Sequence, residues 1–124
     1  MTKQKKVLLA DDEPNILLSL DFLMRKQGYE VFIARNGSEA LEIIRKQKLD
    51  LAVLDIMMPD IDGYQLCEFI KSNASYQHCK VLFLSAKSKE ADIERGLGMG
   101  ADAYMTKPFS TRSLSLKIQE LLLD

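Results

Sequence analysis

Five short apolar runs are spaced along the chain: Val7 to Ala10, Val31 to Ala34, Leu51 to Leu54, Val81 to Leu84 and Ala103 to Met105. Four of them are near-continuous rather than alternating, the pattern of strands covered on both faces of a parallel sheet. The run Ala103 to Met105 is the weakest, and its assignment rests partly on its neighbours. Between and after the runs, apolar residues return at the three- and four-residue spacing of a helix face. The first helical stretch opens on Pro14, carries Ile16, Leu17, Leu20, Leu23 and Met24, and ends at Gly28. Asn36-Gly37 turns the chain into a second, with Ala40, Leu41, Ile43 and Ile44 on one face. A third runs from about Gly63 with Leu66, Cys67, Phe69 and Ile70 inward. A fourth spans roughly Lys89 to Met99, weakened by Gly96 and Gly98, and a fifth presents Leu114, Ile118, Leu121 and Leu122.

Five βα units with short connections predict an α/β domain with a parallel sheet, right-handed crossovers and helices on both faces. No repeat, linker or low-complexity segment divides residues 1–124, and that length suits one domain. Hydrophobic residues at 47% and charged residues at 28% supply a packed core and exclude a disordered chain.

A formal net charge of −1 gives no footprint for direct nucleic-acid binding or for an anionic membrane. Lys3, Lys5 and Lys6 form the only basic cluster and read as a solvated lead-in to the first strand. No apolar run approaches the roughly 18 residues that span a bilayer. The start Met1-Thr2-Lys3-Gln4 lacks the apolar region of a signal peptide. Cys67 and Cys79 lie too far apart for a metal knuckle or redox pair, so free thiols in a cytoplasmic protein are the expectation. His78 falls in a predicted loop and reads as a surface residue.

Open parallel sheets bind ligands at the carboxyl ends of their strands. There the sequence places Asp11 and Asp12 after the first run, Asp55 after the third, Ser85 after the fourth and Lys107 after the fifth. Any one of these could be a helix cap or turn former. Together they meet on one sheet edge, provided the first and third strands are neighbours. Two carboxylates about 5 Å apart repel by roughly 3 kcal/mol at an effective dielectric near 20. A domain of this length has only about 6–18 kcal/mol of stability in all. Clustered acids therefore need protonation, a lysine or a metal. Lys107 balances one charge, and a hard divalent cation held by oxygen, such as Mg²⁺, would balance more. An aspartate can also act as a nucleophile toward phosphorus, with cations and hydroxyls around the transferred group. No glycine-rich nucleotide loop is present.

With these motifs in order, the chain resembles the receiver domains of bacterial two-component response regulators along essentially its whole length. The matching segments are Asp11-Asp12 after Val7-Leu8-Leu9-Ala10, Asp55-Ile56-Met57-Met58-Pro59 with Asp62-Gly63, Ser85-Ala86, Gly100-Ala101-Asp102, and Lys107-Pro108-Phe109. The resemblance implies a doubly wound, flavodoxin-like sheet of strand order 2-1-3-4-5. It implies Asp55 as phosphoacceptor. It implies a Mg²⁺ held by Asp12, Asp55 and the backbone carbonyl of Met57, with Asp11 acting through water. Ser85 matches the switch hydroxyl, Lys107 the phosphate-contacting lysine, Tyr104 the aromatic switch, and Pro108 a proline usually preceded by a cis bond. Met57 and Lys87 match the variable positions flanking the site. Such a domain helps its own phosphorylation and dephosphorylation but is a signalling domain rather than an enzyme.

The implied partners are a sensor histidine kinase or phosphotransfer protein and, through the face of the fourth helix, fifth strand and fifth helix, a downstream partner or effector domain. In the winged-helix transcription factors of the family that face forms a symmetric dimer through charged residues. Lys117 and Asp102 fit that pattern, whereas Ile93, Ala103 and Ser113 replace a base and two acids. Two alternatives stay open. One is a receiver-like interaction module independent of phosphorylation. The other is a Mg²⁺-dependent phosphohydrolase, which should carry its nucleophile after the first strand and a second domain or cap, neither of which is evident. The start at Met1 and the stop after the last helix fit both a single-domain regulator and the amino-terminal piece of a longer one.

Overall fold

In a computed structural model the described residues are 3–123. The elements follow in strict alternation: β1 (Lys6–Ala10), α1 (Pro14–Lys26), β2 (Glu30–Ala34), α2 (Gly37–Lys46), β3 (Leu51–Leu54), α3 (Gly63–Ser72), a 3-10 turn at Ala74–Tyr76, β4 (Lys80–Ser85), α4 (Glu90–Gly98), β5 (Ala103–Thr106) and α5 (Thr111–Leu121). All pairings are parallel and the order is β2-β1-β3-β4-β5, so β1 and β3 are neighbours, as the convergence of the acids requires.

Alternation along each strand sorts the core into two layers. Val7 and Leu9, Leu51 and Val53, and Leu82 and Leu84 pack with Leu17, Leu20 and Met24 of α1 and Leu114 and Ile118 of α5. Leu8, Ala52, Leu54, Val81 and Phe83 point to the other face, against Ala40 and Ile44 of α2 and Leu66, Cys67 and Ile70 of α3. β1, β3 and β4 are buried almost throughout, which is why their sequences read as unbroken apolar runs. Each fully buried leucine or phenylalanine there contributes on the order of 2 kcal/mol.

β2 corrects that reading. It is an edge strand with a broken burial pattern, and Ile33 is 39% exposed. β5, on the opposite edge, is half-buried at every position and extends one residue further than its apolar run, through Thr106. Lys6 is also no mere lead-in: it opens β1, and its N–H donates to Asp50 Oδ2 at 2.8 Å. Met1, of the predicted start, lies outside the described residues.

Cys67 and Cys79 are buried free thiols, and burial pushes them up to about 11 and about 12. His78 is exposed and bonds Asp50 Oδ1 at 3.0 Å. Among the described residues no helix is long and apolar enough to cross a membrane.

Candidate functional site

The carboxyl edge of the sheet is built by strand ends held in register. Asp55 N–H donates to the Ala10 carbonyl at 2.9 Å, Asp11 N–H to that of Ala34 at 3.1 Å, and Lys107 N–H to that of Ser85 at 2.9 Å. Each chemically useful side chain therefore leaves its strand at the same height. The loop after β3 is equally constrained. Gly63 N–H donates to the Ile56 carbonyl at 2.9 Å, and a Cβ at Gly63 would stand 2.4 Å from the Asp55 carbonyl oxygen. Only glycine lets α3 start this close to the acceptor candidate. Asp62 then caps α3, accepting from Gln65 N–H while the Gln65 side chain accepts from Asp62 N–H. Asp60 in the same loop takes a left-handed conformation (φ 65°), and its carboxylate accepts from both N–H and hydroxyl of Ser38 at the start of α2.

Within that frame Asp55 is 5% exposed and Asp11 3% exposed. Lys107 Nζ donates to Asp11 Oδ2 at 2.7 Å, to Asp55 Oδ2 at 3.3 Å and to Glu13 Oε1 at 3.3 Å. The remaining oxygens are also held: Asp11 Oδ1 accepts from Glu13 N–H at 2.9 Å, and Asp55 Oδ1 from Met57 N–H at 3.4 Å. The Lys107-Pro108 bond is cis. Asp12 is exposed and faces an open groove shared with Met57 and Lys87.

Asp11, Asp12, Glu13 and Asp55 each offer a carboxylate oxygen, all within 4.8 Å of one another. The cluster thus contains a third consecutive acid, Glu13, which the sequence reading passed over. Its signal was plain adjacency, since Glu13 follows the aspartate pair directly. Burial, then the charge of Asp11, push the Asp55 carboxyl up from its ordinary range, with Lys107 opposing both. For Lys107, burial pulls the ammonium down, but the hydrogen bond to Asp11 and the charges of Asp55 and Asp11 outweigh it and the net shift is upward.

Ser85 and Tyr104 meet through a residue that neither touches in sequence. Ser85 is fully buried and its Oγ accepts from Lys87 N–H at 3.2 Å. The hydroxyl of Tyr104, a half-buried residue, donates to the carbonyl of the same Lys87 at 2.7 Å. Burial, then the charges of Tyr64 and Asp92, push the Tyr104 phenol up to about 12. The β4–α4 turn is therefore gripped from both sides by the two residues read as switch candidates. Asp11, Asp12, Asp55, Met57, Ser85 and Lys107 all lie at this edge, whereas Tyr104 sits inside β5 opposite Phe83 and reaches the β4–α4 turn through its hydroxyl.

The model of the response regulator receiver domain matches residues 7–119. The chain is 40% identical over 118 residues to the alkaline phosphatase synthesis transcriptional regulatory protein PhoP of Bacillus subtilis, covering 95% of this chain and 48% of that protein. It thus spans about half the length of that curated relative. Among solved structures it is similar to a CheY-like response regulator receiver domain protein from Methanospirillum hungatei (TM-score 0.90, 33% identity, 97% of this chain and 94% of that one). It is also similar to the chemotaxis protein CheY4 of Vibrio cholerae (TM-score 0.89, 28% identity, 97% and 100%). Strand order, strand-end chemistry and these matches over nearly the whole chain agree, and the chain belongs to the response regulator receiver domain family.

Proposed function

We propose that this receiver domain accepts a phosphoryl group on Asp55 from the phosphohistidine of a sensor histidine kinase or phosphotransfer protein, in the presence of Mg²⁺. The observation that carries the reading is the setting of Asp55: a carboxylate at a strand end, beside three further acids and within 3.3 Å of the Lys107 ammonium. Four carboxylates around one ammonium are a poor resting arrangement unless a cation joins them. Hard oxygen donors so closely grouped suit Mg²⁺ rather than a softer metal. Asp12, Asp55 and the Met57 carbonyl would hold it. Asp11, with both oxygens already committed, would act through water, and Glu13 stands as an additional acid. When bound, the ion supplies positive charge next to the transferred group.

In the transfer, an Asp55 carboxylate oxygen attacks phosphorus while the P–N bond of the donor breaks. The bonding pair leaves with the imidazole, which takes up a proton, and an acyl phosphate remains on Asp55. Lys107 moves its hydrogen bonds from carboxylates to phosphoryl oxygen, where it offsets developing charge. Ser85, buried beneath the site, can turn its hydroxyl to the same group. That turn releases the Lys87 N–H and alters the grip it shares with Tyr104. The result is a bias between two arrangements of the β4–α4 turn, a population shift read by α4, β5 and α5.

The test is chemical. A small phosphodonor with Mg²⁺ should add one phosphoryl group that is stable in acid and labile to base and hydroxylamine, as an acyl phosphate is. Asp55→Asn should abolish the labelling. Equal labelling of that variant would place the acceptor elsewhere and sink the assignment.

A further inference from the structure

α4 lacks the anchors that hold the other helices. Its only buried residue is Gly96, and Leu97 is 45% exposed. A nine-residue helix without a buried apolar side chain is not secured by core packing or by propensity. Tyr64 of α3 meets it at two points. Tyr64 is 4% exposed, and its hydroxyl donates to the Asp92 carbonyl at 3.3 Å in the first turn of α4. The Arg95 guanidinium, one turn further on, lies 4.0 Å from the centre of the Tyr64 ring. The ring itself is fixed edge-on to Phe83 (5.7 Å), which in turn meets Tyr104 (5.8 Å). A Cβ at Gly96 would stand 3.0 Å from both Phe83 and Tyr104, so α4 rests directly on this aromatic row. Asp92 also carries a carboxylate 4.0 Å from Lys87 Nζ. Tyr64, Arg95 and Lys87 share with Asp12 and Met57 the walls of an open groove of about 390 Å³ beside Asp55.

We propose that Tyr64 and Arg95 form a latch that fixes the first turns of α4 on α3, and that they thereby act as positioning residues for Lys87 and for the seat of Tyr104. Through Asp92 the latch sets where the Lys87 ammonium stands at the rim of the acceptor site. Through Gly96 it sets how closely α4 covers the Tyr104 ring. The kinetic consequence rests on the phosphoacceptor reading of Asp55; the structural one does not.

Amide hydrogen exchange of the unphosphorylated domain tests the latch, using Tyr64→Phe, which keeps the ring in the core, and the surface change Arg95→Gln. Exchange of α4 amides should rise roughly two- to fivefold in each, the scale of one cation–π contact or one hydrogen bond. α1 and α5 should keep their protection, and Arg95→Lys should lie nearer the wild type than Arg95→Gln. After the phosphodonor is removed, both latch variants should lose the Asp55 label at least twofold faster than the wild type, and Lys87→Ala should do the same. Wild-type protection of α4 in both variants, loosening spread evenly over all helices, or an unchanged label lifetime would each overturn the latch. A wild-type domain that takes no label at Asp55 would instead overturn the phosphoacceptor reading, and the exchange result would then decide the latch alone.

Discussion

Asp55 is buried and asked to carry charge beside Asp11, and a residue in that position costs the fold stability when it ionises. Its carboxyl is raised, so between its ordinary and its folded titration ranges the native state binds more protons than the unfolded state, and stability falls as pH rises. Asp55→Asn should therefore melt a few degrees higher than the wild type at pH 7, with the gap closing as pH falls through the raised range of the folded protein and gone once pH reaches the bottom of the ordinary aspartate range. Urea or thermal melts across pH measure it; a variant less stable at pH 7 would contradict the repulsion. Metal linkage is the complementary check. Mg²⁺ at tenfold its dissociation constant should add about 1.4 kcal/mol, and Asp12→Ala should lose that response. A wild-type melting point indifferent to millimolar Mg²⁺ would count against the site. At the flanking positions, Met57 and Lys87 offer no carboxylate or amide to orient an attacking water. The phosphoryl group should accordingly be long-lived, and Lys87→Glu should hydrolyse it faster; a slower variant would refute this. Asp11, Asp55 and Ser85 were legible because each directly follows an apolar run, and Asp12 and Lys107 because they come one residue later, where topology brings strand ends together. The shared grip of Ser85 and Tyr104 on Lys87 was not, because a backbone group leaves no mark in a sequence.

Elements were legible in proportion to how well each is covered. β1, β3 and β4 declare themselves because both their faces meet helices, whereas β2 and β5 are edges whose mixed burial blurs the pattern. The 3-10 turn at Ala74–Tyr76 has no periodicity to announce it, being shorter than one helical repeat. α4 is a different case: its apolar signal is weak because aromatic and cationic contacts hold it rather than buried leucines. A similar polar device closes the α4–β5 turn. Asp102 Oδ2 accepts from the Val81 N–H at 2.8 Å and from Lys71 Nζ at 2.9 Å, while Asp102 N–H donates to the Val81 carbonyl at 2.8 Å. One side chain thus continues the β4–β5 ladder and ties it to α3, which gives a physical reason for an acid in the Gly100-Ala101-Asp102 motif. Asp102→Ala would leave a buried N–H without its partner and should cost about 2–3 kcal/mol in chemical denaturation. Asp102→Asn, which keeps an acceptor, should cost less. Equal losses for the two would mean that charge rather than hydrogen bonding carries the role.

At the scale of the molecule the open question is what reads the switch. The face of α4, β5 and α5 carries exposed Leu97 and Leu116, at 45% and 55%, so it has apolar surface to offer a partner. It has little of the charge pattern by which the winged-helix members of the family pair symmetrically. Ile93, Ala103 and Ser113 replace a base and two acids, and the two compatible residues are drawn into local contacts. Lys117 Nζ bonds Glu120 at 3.3 Å within α5, and Asp102 is held by Lys71 and the Val81 N–H. Charge pairs across an interface fix register and exclude wrong partners more than they add affinity, so losing several removes one geometry without removing the capacity to bind. The expectation is a face that responds to phosphorylation through Ser85 and Tyr104 yet serves a different partner or a different dimer, with Ile93 as a new apolar contact. Sedimentation of the domain with and without beryllofluoride, a mimic of the phosphoryl group, checks the association state first, and a crystal of the activated form checks the geometry. A symmetric α4–β5–α5 dimer held by inter-subunit salt bridges at the subgroup's positions would show this expectation wrong, because Lys117 and Asp102 would then have left the partners that hold them here.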